Sequence, residues 1–246
     1  MTKIEVMSLI KVSNTFPNLE QPQIVRENLL NQIEDLINEG NSIIVINSLG
    51  KEQSGKTTLL AQFAQHYPDE TISIFINPNS KYGYDPEYIS FEICNQICWL
   101  LQSKQLDFDN EIITDGMRRQ WIYKLGKYCR TTKRKLFFVI DGLDQIPGKD
   151  DLYKQQIIEL LPFGMEYLYF IFSCDDPNLL PLQVKSREIS LPGFTEGETI
   201  SFFIDSLSLE DIREIYRVSK MPGYLTRIKR MLEKETDTAK LIETFA

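Results

Sequence analysis

The sequence predicts an α/β fold: a mainly parallel five-stranded sheet flanked by helices, followed by a small four-helix lid. Three observations carry this expectation. Short, nearly uninterrupted apolar runs recur up to about residue 191. Between them lie segments whose apolar residues fall at helical spacing. After residue 192 the apolar runs stop and only short helical patterns remain. A continuous apolar run suits a strand buried on both faces, as in a parallel sheet covered by helices. Alternation of such runs with helices is the pattern of that architecture.

Taken in order, residues 24–38 place Ile24, Leu29, Ile33, Leu36 and Ile37 on one helical face, and Gly40-Asn41 ends the helix. Residues 42–47 (SIIVIN) form the first strand, and KTTLLAQFAQHY from Lys56 reads as a helix. Residues 71–76 form the second strand. Asp85 caps and Pro86 opens a helix that runs to about Gln102, apolar around most of its circumference. Another helix starts near Thr114, with Met117, Trp121, Leu125, Tyr128 and Cys129 as its stripe. Strands follow at 135–141, 167–173 and 186–191, with a helix at 151–161 between the first two. Helices are expected at 196–207, 209–218, 222–233 and 237–245; Thr195 with Glu198 makes a capping box and Ser208 with Asp211 a similar pair. The division expected is an arm or linker over 1–21, an α/β domain over 22–192 and a helical lid over 193–246.

Composition narrows the function. The 246 residues carry a formal net charge of −8, with 42% hydrophobic and 25% charged residues. An acidic chain is a poor partner for phosphate backbones, which argues against dedicated nucleic-acid binding. The basic clusters Arg118-Arg119 and Lys133-Arg134-Lys135 read as solvated surface. Cys94 and Cys98 sit one helical turn apart among Ile93, Ile97 and Leu101, far in sequence from the single histidine, His66. They read as buried apolar thiols, not metal ligands. Residues 107–111 (DFDNE) lack the glycine and distal glutamate of a calcium loop. Neither an apolar leader nor a run of about eighteen apolar residues occurs, so the expectation is a cytoplasmic protein without a membrane partner.

The motif that carries chemistry is NSLGKEQSGKTT. Gly50, Gly55, Lys56 and Thr57 spell G-x-x-x-x-G-K-[ST] between a buried strand and a helix. Glycines let backbone N–H groups turn inward around phosphates, and the helix presents its positive end to the same anion. The expected phosphate-binding residues are Gly50, Lys51, Glu52, Gln53, Ser54, Gly55, Lys56, Thr57 and Thr58. Lys56 reaches the β- and γ-phosphates, and Thr57 ligates Mg²⁺. LFFVIDGLDQ carries Asp141 to the end of a buried strand as the second metal-shell residue. Asp144, three residues on, is placed to orient or deprotonate an attacking water. Lys56 and Asp144 are thus the candidate catalytic residues.

Strand-D-G-L-D, with its second acid displaced by three, resembles the NACHT branch of the STAND ATPases. QIVRENLL resembles that family's adenine-side hGRE motif, with Val25 in place of the glycine and Arg26 beside it. YFIFSCDDP falls at the sensor-1 strand, and SKMPGYL resembles the G-x-P motif of the lid, which makes Pro222 the adenine-contacting proline. The resemblance covers about residues 22–233. It implies a P-loop NTPase of the AAA+/ASCE superfamily that binds ATP or ADP with Mg²⁺. It further implies a conformational and oligomerisation switch in signalling, innate immunity or antiphage defence, with effector and sensor modules outside this chain. This sequence departs from the family at three places: Asp175 stands where an arginine is usual, Gln145 replaces an acid, and Lys220 replaces the glycine of G-x-P. A carboxylate facing a γ-phosphate repels it by roughly 4 kcal/mol at 4 Å in a surface-like dielectric, so slow hydrolysis is expected. The alternative reading is an AAA-like ATPase that assists DNA replication or transposition. A small-molecule kinase fits the long segment between Lys56 and Asp141 poorly. Arg227 and Arg230, on the helix after Pro222, read as surface arginines.

Overall fold

The computed structural model describes residues 8–19, 23–48, 53–80, 82–176, 180 and 185–233. The helix expected at 237–245 lies outside them, as do Gly50, Lys51 and Glu52. Five parallel strands form one sheet in the order β2-β3-β4-β1-β5: β1 (Ile43–Asn47), β2 (Thr71–Phe75), β3 (Leu136–Asp141), β4 (Leu168–Ser173) and β5 (Arg187–Ser190).

Both faces of the sheet are covered over β1 to β4, which is why those strands read as nearly unbroken apolar runs; the edge strand β5 is mostly exposed. Along β3, Leu136, Phe138 and Ile140 meet one core, whereas Phe137 and Val139 meet the other. The first core is closed by α3 (Pro86–Gln102), α4 (Asp115–Thr132) and α5 (Asp151–Leu160), through Ile89, Ile93, Ile97, Leu125 and Ile157. The second is closed by α1 (Glu27–Asn38) and α2 (Lys56–His66), through Leu29, Ile33, Leu59, Leu60 and Phe63. All four cysteines are buried thiols; burial pushes Cys94 and Cys174 up to about 12 and Cys129 up to about 11.

The chain leaves β1 through α2 and passes β4 and β3 to reach β2, while β4 connects past β1 to β5. These crossovers depart in opposite directions. They open a crevice at the carboxyl ends of β1 and β4, the place where open α/β sheets bind ligands.

A third core belongs to α6 (Glu196–Phe203), α7 (Leu209–Val218) and α8 (Pro222–Leu232), built on Phe194, Phe202, Phe203, Ile212, Ile215, Leu225 and Ile228. Thr195 and Glu198 form the expected capping box, and Ser208 Oγ accepts the Asp211 N–H. Helix α6 ends at Phe203, short of the expected residue 207. The chain turns there, with the N–H groups of Ser206 and Leu207 both bonded to the Phe203 carbonyl.

One further boundary differs from the sequence pattern for a visible reason. Helix α1 starts at Glu27 because the Ile24 carbonyl accepts Gln62 Nε2 at 3.0 Å and Arg26 stands at the cap. The described part of the amino-terminal arm is tied to the free edge of β2. Leu9 and Val12 are buried, Ser13 Oγ donates to the Ser73 carbonyl, and the Phe75 N–H donates to Thr15 Oγ1. Gln96 of α3, fully buried, bonds both the N–H and the carbonyl of Ser73. Side chains thus satisfy backbone groups that an edge strand otherwise offers to another chain.

Candidate nucleotide site

Gly55 is the residue before α2 and has φ +92°, a left-handed conformation that a residue with a Cβ adopts at a cost. It turns the loop so that the first N–H groups of α2 face the crevice, unpaired within the helix by construction. Among the described residues no side-chain cap bond is made at Gly55. The adjacent Ser54 hydroxyl is buried and has no hydrogen-bond partner among the described residues. An uncapped helix start beside an orphaned hydroxyl is a cradle suited to an anion such as phosphate.

Two oxygen ligands meet beside this cradle. Thr57 Oγ1 donates to Asp141 Oδ2 at 2.6 Å, joining α2 to the end of β3. Asp141 is 3% exposed, and its other oxygen accepts the Ser173 hydroxyl from the end of β4. Burial pushes the Asp141 carboxyl above its usual range; the bonds from Ser173 and Thr57 oppose that. Among the described residues there is no group of three or more His, Cys, Asp or Glu side chains able to hold a metal. A hydroxyl and a single carboxylate suit Mg²⁺, which takes few protein ligands and completes its shell with water and phosphate oxygens.

Lys56 points to a second group of acids. Its ammonium pairs with Asp175 Oδ2, lies 3.2 Å from Ser48 Oγ and stands 4.0 Å from Asp144 Oδ2. Asp175 also accepts the Ser48 N–H at 2.7 Å. Burial works to raise the Asp175 carboxyl, but Lys56 and Ser48 outweigh it and hold the group below the usual range. Asp144 lies on a short turn after Gly142, which has φ +84°, and accepts the Asp175 N–H at 3.2 Å. A Cβ on Gly142 would stand 2.9 Å from the Ile76 carbonyl oxygen, so the tight D-G-L-D bend needs glycine.

The lid lies on the same loop. The Gly223 N–H donates to the Gln53 carbonyl at 2.9 Å, and Pro222 packs beside Gly55. A cavity of about 330 Å³ opens between core and lid. Its apolar end is made by Leu19, Ile24, Phe194, Phe202 and Pro222; its polar end by Ser54, Gly55, Thr57 and Thr58. A second cavity of about 550 Å³ lies on the other side of Thr57 and reaches Asp141 and Gln145.

Helix geometry therefore brings Ser54, Gly55, Thr57, Thr58 and Pro222 to one cavity. Val25 does not reach it: that side chain is 53% exposed, and Ile24 and Arg26 line the wall instead. Arg26 borders the cavity but spends its donors elsewhere. Nε pairs with Glu198 at 2.9 Å, and the terminal nitrogens donate to the carbonyls of Pro192 and Gly193 at 2.8 and 3.2 Å. Its guanidinium lies over Phe194. Sequence reasoning missed this joint, and also Ser48 and Ser173; no spacing marks a residue whose role is to hold another side chain.

No protein-family model matches the chain, and the search of curated proteins returned no match. Solved structures do match. A Walker-type ATPase of Pyrococcus abyssi aligns over 93% of this chain and 74% of its own length, at 14% identity and a TM-score of 0.60. A STAND protein with a tetratricopeptide repeat sensor from Pyrococcus horikoshii aligns over 94% of this chain, at 15% identity and a TM-score of 0.51. The fold is that of a P-loop NTPase of the AAA+/ASCE kind. This P-loop NTPase fold spans 33% of the length of the STAND protein it matches. Among the described residues no helix is long and apolar enough to cross a membrane.

Proposed function

We propose that the chain binds ATP or ADP with Mg²⁺ in the crevice between sheet and lid, and that it works as a STAND-type switch with slow hydrolysis. One observation carries the binding reading: the uncapped start of α2, with the orphaned Ser54 hydroxyl, faces a cavity that ends against Pro222 of the lid. Ser54, Gly55, Thr57 and Thr58 hold the phosphates, with Lys56 as the balancing cation. The apolar end, with Phe194, Phe202 and Pro222, takes the base. Thr57 and Asp141 hold Mg²⁺, which supplies charge neutralisation at the phosphates. Ser173 keeps the Asp141 carboxylate in place, and Asp144 is the residue within reach of a water on the Lys56 side.

The switch reading draws support from the lid. Its only described backbone bond to the phosphate loop is Gly223 to Gln53, so the phosphate loop and the lid helix are mechanically joined at the site. A ligand that reshapes the loop shifts the lid through that joint, and self-association or effector and sensor modules read the shift. The match to a STAND protein three times as long agrees with modules outside these residues. The charge of −8 speaks against a dedicated nucleic-acid partner.

A melting experiment tests the binding reading. At a hundred times its dissociation constant, Mg·ATP or Mg·ADP stabilises the fold by about 2.7 kcal/mol. Lys56→Ala removes the cation and most of that shift. A Lys56→Ala variant that gains as much from nucleotide as the parent chain refutes the assignment.

A further inference from the structure

We propose that the groove between α3, α4 and α5 is a docking surface for an arginine-bearing segment of a partner protein. None of its lining residues belongs to the phosphate loop or the lid.

The groove holds about 910 Å³ and is lined by the first turns of α3, the connection 103–114 with the start of α4, and α5. Its apolar wall is aromatic. Phe108 packs edge-on against Tyr88 and Phe91, with ring centroids 5.2 and 5.0 Å apart, and the Tyr82 ring lies 6.2 Å from it. Phe108 is nevertheless 45% exposed, and Ile112 is 85% exposed. Large apolar side chains left open together in one groove mark an interaction surface. The wall is also prearranged. Asn95 of α3, buried, accepts the Leu106 N–H at 2.8 Å. Asp107 closes the turn that follows, accepting the Asp109 N–H at 3.1 Å and the Asn110 side-chain amide at 2.7 Å. The DFDNE segment thus holds Phe108 and Glu111 in the groove wall.

Charge decides what this surface takes. Its lining residues include Asp85, Glu87, Glu111, Asp115 and Glu159, against one described cation, Arg118. Arg118 already pairs with Asp115 at 2.8 Å, and Asp85 caps α3. Glu87, Glu111 and Glu159 stand on three different segments and have no ion-pair partner among the described residues. No described group of three or more acids is close enough to hold a metal ion, so the negative charge is spread along the groove. A spread of this kind suits an extended cationic chain. Arginine answers both features, because its planar guanidinium stacks on an aromatic face and forks onto a carboxylate. A wholly apolar segment would desolvate the carboxylates without pairing them, and an acidic segment is repelled. The occupant is therefore a segment with arginines beside apolar residues, anchored on the Phe108 cluster and rimmed by the three glutamates.

The probe is a fluorescent peptide of three Arg-Leu pairs joined by single glycines, titrated with the full chain and read by anisotropy. Peptides with glutamate or serine in place of arginine are expected to bind at least about tenfold more weakly. Glu87→Gln with Glu111→Gln is expected to weaken the arginine peptide by about tenfold, and Phe108→Ala by about as much. Glu210→Gln with Glu214→Gln removes the same charge from exposed positions on α7 and is expected to change affinity less than about twofold. Phe108 also packs internally, so Ile112→Ser repeats the apolar test at an exposed position, with a loss of about threefold. Failure of the arginine peptide to bind overturns the proposal. A serine peptide that binds as well does so too, since apolar contact alone would explain it. An α7 pair that weakens binding as much as the groove pair also overturns it, since net charge would explain it, as does full affinity in both Phe108→Ala and Ile112→Ser. Self-association of the chain in sedimentation that Glu87→Gln with Glu111→Gln abolishes would make the occupant a second copy and overturn the partner assignment.

Discussion

Arg26 offers the sharpest check on how core and lid are joined. It is 6% exposed and makes one ion pair and two carbonyl bonds to the segment 192–198 that leads into α6. Arg26→Ala deletes all three and leaves Glu198, 18% exposed, without its cation. Hydrogen bonds of charged groups contribute about 1.5–3 kcal/mol each, and breaking a buried pair costs about 3–5 kcal/mol. Water entering at the partly exposed Glu198 and at the freed carbonyls offsets some of this, so a net loss of about 3 kcal/mol is expected. For a chain of this size that lowers the melting temperature by roughly 6–12 °C. The measurement is a melt without nucleotide, repeated for Glu198→Ala and the double variant. Glu198 also accepts the Thr195 N–H at 2.7 Å, so the single variant loses a cap as well, and the cycle separates that loss. A coupling of about 1–3 kcal/mol is expected. If Arg26→Ala melts like the parent and loses only its response to nucleotide, Arg26 is a ligand of the nucleotide and the joint described here is wrong.

Two other outcomes follow from packing and from burial. A Cβ on Gly223 would stand 2.3 Å from Gln53 Cβ, so Gly223→Ala should push α8 off the phosphate loop, cost about 1–3 kcal/mol and weaken nucleotide binding. Gly197→Ala is the control, because a Cβ there meets nothing within 4 Å; similar melts and nucleotide affinities for the two variants would refute the close approach. Glu92 is fully buried, and burial pushes its carboxyl above the reference 4.5 despite the bonds from Asn14. The folded chain therefore keeps a proton that the unfolded chain releases, and stability falls as pH rises from about 4.5 through the folded value. Glu92→Gln cannot ionise, so urea unfolding across that window should show the variant gaining on the parent as pH rises, and a constant difference would contradict the assignment.

The sequence by itself determined what local chemistry fixes. Apolar runs marked β1 to β4, because a strand covered on both faces shows little polar side; the edge strand β5, with Arg187, Glu188 and Ser190 exposed, carries no such run. Asp85, Thr114, Thr195 and Ser208 marked helix starts, because their side chains bond the first free N–H groups. The phosphate loop was legible because Gly55, Lys56 and Thr57 must be adjacent to one another to form it. Only the tertiary structure decided which residues those groups face. It put Asp175, 119 positions from Lys56, against the ammonium, because β4 lies beside β1 in the sheet. It turned Arg26 from the base toward the lid and left Val25 in solvent, because the chain there runs between two packed bodies and only one side of it faces the cavity. Strand order and the seating of the lid come from long-range packing, and no residue pattern along the chain records them.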